Sequence, residues 1–140
     1  MKSIVISDSV KSIGEWAFYG CTGLTRVTLS DSVTSVGEWA FYNCTGLTCV
    51  TLSDSLTSIG AGAFDGCKSL TSITIPRSLT SIGAGVFDGC QNLSSIAVDA
   101  NNKAYAAQNG ILYNKGMTVL TLCPEGKKEH RGVPMLSGNP

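Results

Sequence analysis

The stretch Leu24-Thr25-Arg26-Val27-Thr28-Leu29-Ser30-Asp31-Ser32-Val33-Thr34-Ser35-Val36-Gly37-Glu38-Trp39-Ala40-Phe41-Tyr42-Asn43-Cys44-Thr45-Gly46 decides the fold, because it is one copy of a unit that recurs along the chain. Phenylalanine falls at 18, 41, 64 and 87, cysteine at 21, 44, 67 and 90, glycine at 14, 37, 60 and 83, and leucine at 24, 47, 70 and 93. A fixed period of 23 residues marks a solenoid in which each unit is one coil stacked on the next. Such an architecture points toward a display surface for binding and away from a pocket enzyme.

Within the unit, Val27 and Leu29 share one face of a strand by their period of two. Ser30-Asp31-Ser32 supplies turn chemistry. Val33 and Val36 read as a second short extended segment, and Gly37 as a point where the backbone needs conformational freedom. Ala40, Phe41 and Cys44 are spaced like one helical turn. The columns Val27, Val50, Ile73, Ile96 and Leu29, Leu52, Ile75, Val98 predict ladders at about 4.8 Å per step. No coil can bury its own apolar side, so its neighbours must complete the core.

Hydrophobic residues make up 43% of the chain, enough for a continuous core, while charged residues are only 14%. Serine and threonine (17 plus 13) supply the polar surface instead. The formal net charge is zero, which argues against non-specific nucleic-acid binding. The balance is uneven, net −3 over residues 1–99 (eight acidic, five basic) and net +3 over 100–140 (two acidic, five basic). No apolar run reaches the roughly 18 residues of a membrane span, and residues 1–6 lack a signal-peptide stretch. Ile4 and Ile6 stand 23 before Val27 and Leu29, so the chain begins in mid-repeat and reads as a piece of a longer protein.

The unit L-x-x-[VI]-x-[LIV]-x-x-S-[VL]-x-S-[IV]-G-x-x-[AV]-F-x-x-C resembles the BspA-like leucine-rich repeat. Ser32, Ser55 and Ser78 occupy the ninth position, where common leucine-rich repeats carry Asn or Cys. The resemblance implies an α/β, mostly β fold: a right-handed leucine-rich-repeat solenoid of about four and a half coils over residues 1–98. Residues 99–124, with turn signals at Asn101-Asn102 and Asn109-Gly110, read as a β-hairpin that caps the last coil. Its strands are expected at Ile111-Leu112-Tyr113 and Val119-Leu120-Thr121-Leu122, joined around Asn114-Lys115-Gly116. Residues 125–140 read as a polar, disordered tail in which Val133-Pro134 is similar to the start of another repeat. No cap is visible at the N-terminus, so self-association through the first coil is expected.

Six cysteines raise the question of a metal or disulfides. Cys21, Cys44, Cys67 and Cys90 form one ladder, spread over about 14 Å, which cannot converge on one tetrahedral ion. Parallel inward vectors suit disulfides poorly. The ladder reads as small buried hydrophobes, whereas Cys49 takes the outward slot of Arg26, Ser72 and Ser95. The single histidine, His130, lies in the tail and offers no fixed base for a nucleophile. Metalloprotease, Walker and dinucleotide motifs are absent. Asp8, Asp31 and Asp54 read as solvated turn residues, and Asp65 and Asp88 as a weak cation site at most. Catalytic residues, metal ligands and cofactors are therefore all assigned as none.

Two surfaces remain for partners. The outward strand columns are Arg26, Cys49, Ser72, Ser95 and Thr28, Thr51, Thr74, Ala97. The second is aromatic: Glu-Trp-Ala-Phe-Tyr at 15–19 and 38–42 stacks Trp16 on Trp39 and Tyr19 on Tyr42, while the next two repeats carry Ala-Gly in place of Glu-Trp. The plainer readings are a Ser/Thr ladder that only solvates the sheet, and tryptophans that pack as ordinary shell residues. The family resemblance implies an extracellular or cell-surface, non-enzymatic adhesion or recognition module. Its implied partners are host or neighbouring-cell surface and matrix proteins and glycans, with no nucleic acid and no membrane insertion by this segment. The alternative is a structural spacer that displays other domains.

Overall fold

The sequence periodicity becomes two parallel strand ladders in the computed structural model, which describes residues 2–126. Each coil contributes one longer and one two-residue strand. The first ladder holds β1 (Lys2–Val5), β3 (Leu24–Thr28), β5 (Cys49–Thr51), β7 (Ser72–Ile75) and β9 (Ser95–Val98). The second holds β2 (Ser12–Ile13), β4 (Ser35–Val36), β6 (Ser58–Ile59) and β8 (Ser81–Ile82). Register follows the repeat: Arg26 pairs with Cys49, Val27 with Val50, Ser35 with Ser58 and Ser72 with Ser95. The second ladder is one continuous sheet, β2-β4-β6-β8, whereas the first is divided into β1-β3-β5 and β7-β9.

Between the ladders lies the core. Val27, Val33, Phe41, Phe64, Leu70 and Leu79 are fully buried. The phenylalanines stack face to face along the axis, with centroids 5.0, 5.2 and 5.9 Å apart from Phe18 to Phe87.

The Ala-Phe-x-x-Cys segment forms no helix. It is a run of turns in which Ala40 N–H donates to Gly37 O at 3.3 Å and Cys44 N–H to Phe41 O at 3.2 Å. Alternate amides point along the solenoid instead: Trp39, Phe41 and Asn43 N–H donate to Ala61, Ala63 and Asp65 O of the next coil at 3.0, 2.8 and 2.8 Å. That alternation is incompatible with helical i→i−4 bonding. The Gly37 column is required for a reason other than backbone freedom. A Cβ on Gly37 would lie 2.7 Å from Glu15 N, so close coil-to-coil approach excludes a side chain there.

At the far end, the chain turns into an antiparallel sheet of three strands, β10 (Tyr105–Gln108), β11 (Ile111–Asn114) and β12 (Leu120–Leu122). The sequence indicated β11 and β12; β10 is the addition. Asn109 and Gly110, at φ 56° and 78°, make the two-residue turn that joins β10 to β11. The sheet closes the last coil, with Ile96 N–H donating to Gly110 O at 3.0 Å. Buried Asn102 donates to Pro76 O and Leu79 O at 2.8 and 2.9 Å. Most of the tail expected to be disordered lies outside the described residues. Its first two residues are in contact with the solenoid: Glu125 accepts from Gly89 N–H at 2.9 Å and Gly126 N–H donates to Leu93 O at 2.7 Å.

Candidate functional site

The aromatic group assembles as its spacing implied. Trp16 and Trp39 stack with centroids 5.7 Å apart and planes 15° apart; Tyr19 and Tyr42 stack at 5.6 Å and 6°. Each tryptophan also meets a tyrosine edge-on, Trp16 to Tyr19 and Trp39 to Tyr42, both at 5.5 Å. Trp16 is 49% and Tyr19 57% exposed, so the outer rings face solvent. Trp39 and Tyr42 are half-buried.

What the sequence did not disclose is the backbone beneath them. Trp16 and Trp39 sit at φ 62° and 61°, in the left-handed region. Gly62 and Gly85, the equivalent residues two coils on, take φ 63° and 66°. A bulky side chain in that conformation costs about 1–2 kcal/mol where glycine costs nothing. The Trp39 indole lies flat over Gly62, where any Cβ would enter the ring.

The strand-face residues are brought onto one surface but not into a pocket of their own. Arg26, Thr51, Ser72, Thr74 and Ser95 are exposed, and Thr28 is half-buried. Cys49 is half-buried rather than open, and the Arg26 guanidinium donates to its Sγ at 3.8 Å. Serine and threonine hydroxyls largely serve the neighbouring coil: Thr48 Oγ1 donates to Thr25 O at 3.0 Å and Ser32 Oγ to Val10 O at 2.7 Å.

The cysteine ladder is structural in geometry. Cys44, Cys67 and Cys90 are buried, and their thiols donate to Phe18, Phe41 and Phe64 O at 3.1, 3.2 and 3.0 Å. Burial pushes the Cys44 thiol up to about 11. The Cys67 thiol is raised by its side-chain hydrogen bond with Cys90 and then by burial. Cys21, at the open end, is exposed. Burial, then the charges of Asp88 and Glu125, raise the Asp65 carboxyl above the ordinary aspartate range. Among the described residues no group of three or more His, Cys, Asp and Glu is placed to hold a metal ion, and no helix is long and apolar enough to cross a membrane.

Parallel ladders, a phenylalanine spine and a leucine-led repeat define a leucine-rich-repeat solenoid. The family model for the BspA type leucine rich repeat region matches residues 1–115 in 6 copies, and the chain belongs to that family. It is similar to a leucine-rich repeat protein of Eubacterium ventriosum (32% identity over 91% of this chain and 40% of that one, TM-score 0.66). A leucine-rich repeat protein of Bacteroides capillosus is similar over 70% of this chain and 77% of that one (34% identity, TM-score 0.65). The pneumococcal vaccine antigen PcpA shares the fold at 25% identity over 91% of this chain and 38% of that one, with TM-score 0.77. The chain thus spans about two-fifths of the length of the first and third of these. No curated protein matches it.

Proposed function

We propose that the chain is a non-enzymatic recognition module of a cell-surface protein, acting in adhesion or protein–protein contact. The observation that carries this reading is the exposed tryptophan–tyrosine stack held on left-handed backbone that glycine would occupy without strain. Strain concentrated under an exposed aromatic group is characteristic of functional surfaces, and Trp and Tyr dominate binding hot spots. The strand face, with Arg26, Thr28, Cys49, Thr51, Ser72, Thr74 and Ser95, adds a flat polar surface beside which affinity accumulates over several coils. The similarity to a vaccine antigen supports an exposed location.

A rigid spacer is the competing reading, favoured by the continuous β2-β4-β6-β8 sheet and the unbroken phenylalanine stack that stiffen every coil. Binding of the folded chain to an array of matrix proteins, cell-surface proteins and glycans separates the two. A saturable partner lost on Trp16→Ala or Thr51→Arg supports recognition. An array without a hit, from folded protein, supports the spacer.

A further inference from the structure

One junction between coils departs from the others. At the closed junctions, Leu29 N–H donates to Thr51 O at 3.0 Å, Thr48 N–H to Thr25 O at 2.9 Å and Ser94 N–H to Thr71 O at 3.0 Å. Between β5 and β7 the equivalent donors, Leu52 N–H and Thr71 N–H, have no partner, and the two strands exchange no backbone hydrogen bond. The same two coils stay joined on the opposite side, where Ser58 pairs with Ser81, and through the turns, where Phe64 N–H donates to Val86 O at 2.9 Å. The solenoid is therefore opened on one face only. A cleft of about 330 Å³ lies in the opening.

Its chemistry is specific. Val50 and Ile73 are buried apolar residues along it, and Thr51 and Thr74 line it with hydroxyls. Asp54 and Asp99 both border it, each following the strand of its coil. Asp99 Oδ1 accepts from Asn101 N–H at 2.8 Å, leaving its other oxygen open. Unpaired strand edges are matched by the alternating donors and acceptors of an extended peptide, as in strand addition to a sheet. Two carboxylates at the border favour a cationic side chain, with guanidinium able to bind one of them in bidentate fashion. The volume lies at the small end of ligand sites, which suits a few residues rather than a folded domain.

We propose that the cleft between β5 and β7 is a docking site for an extended peptide segment carrying a lysine or arginine side chain. The assignment deepens the recognition reading and rests on it only for the identity of the ligand as a polypeptide.

The test is an amide NMR titration of the full chain with acetyl-Val-Arg-Val-amide and with its glutamate counterpart. Shifts confined to Val50, Leu52, Thr71 and Thr74 with the arginine peptide are expected, on the order of tenfold weaker binding with glutamate. A similar loss is expected in folded Asp54→Asn/Asp99→Asn, and blockage in Thr74→Arg. No shift at these amides, or equal shifts with both peptides, overturns the proposal. So does slow hydrogen exchange at Leu52 and Thr71 in the free protein, which would show the strands paired in solution. Shifts that depend on protein concentration without peptide would place a second copy there and also overturn it. Array binding that survives Asp54→Asn/Asp99→Asn but is lost in Trp16→Ala would leave the recognition reading standing while the cleft assignment falls.

Discussion

The first two coils and the next two share strands, phenylalanine spine and cysteine ladder, yet they fill one slot in opposite ways. Trp16 and Trp39 occupy it in the first pair, Gly62 and Gly85 in the second, and all four residues have φ between 61° and 66°. The side chain therefore does not set the conformation. Inter-coil bonds do: Trp16, Trp39 and Gly62 N–H donate to Glu38, Ala61 and Ala84 O at 3.2, 3.0 and 3.0 Å. The ladder imposes a left-handed residue on every coil, and glycine is the residue that adopts it without strain. The tryptophan coils carry strain in exchange for a solvent-facing aromatic surface, and Gly62 marks where the stack ends under the Trp39 ring.

The largest expected effect breaks what the two halves share. Phe64 stacks on Phe41 at 5.2 Å and on Phe87 at 5.9 Å, so it joins the tryptophan half to the glycine half. Phe64→Ala is expected to cost about 3–5 kcal/mol, read from denaturant unfolding. An unchanged transition would show that the halves are stable without the spine.

Gly62→Ala comes next. Its Cβ would enter the Trp39 indole and its φ is +63°, so overpacking and strain together predict a loss of about 2–4 kcal/mol. Introducing Trp39→Gly beside it should recover part of that loss by removing the ring. No recovery would mean that the cost lies in the backbone alone.

Trp16→Gly should alter stability by no more than about 1 kcal/mol, because relief of left-handed strain offsets lost stacking. The same variant should lose partner binding on the array. A large destabilisation would make Trp16 a structural residue and weaken the recognition reading.

The smallest effect concerns the acidic column of the glycine half. Asp65 is raised by desolvation first and then by Asp88 and Glu125. An acid whose folded pKa exceeds its unfolded value binds more protons when folded, so stability falls as pH rises through that window. Asp65→Asn should remove this slope from thermal unfolding between pH 4 and pH 7, and melt at or above the parent temperature at neutral pH. A steeper slope in the variant would reverse the assigned sign.

Much of the binding surface was legible before any coordinates. The columns through Arg26, Cys49, Ser72 and Ser95 are the observed register, and the Trp16–Trp39 and Tyr19–Tyr42 pairs are observed stacks. The partial closure of Cys49 was not legible, because it depends on an arginine one coil away reaching its sulfur. Strand β10 was missed because Tyr105-Ala106-Ala107-Gln108 has neither β-branched residues nor alternation, and pairing with β11 alone makes it a strand.

The 23-residue period by itself determined which residues share a column, which face is buried, and that the fold is a solenoid, because identical units stacked in register must repeat the same contacts. Only the tertiary structure decided where the ladder holds and where it opens. Left-handed tryptophans, the glycines excluded from carrying a side chain by the coil before, and the unpaired edges of β5 and β7 all arise from approaches of a few ångströms between segments 23 residues apart. A repeat pattern states that two coils are neighbours. The hydrogen bonds made or left unmade between them depend on the packing of the whole stack.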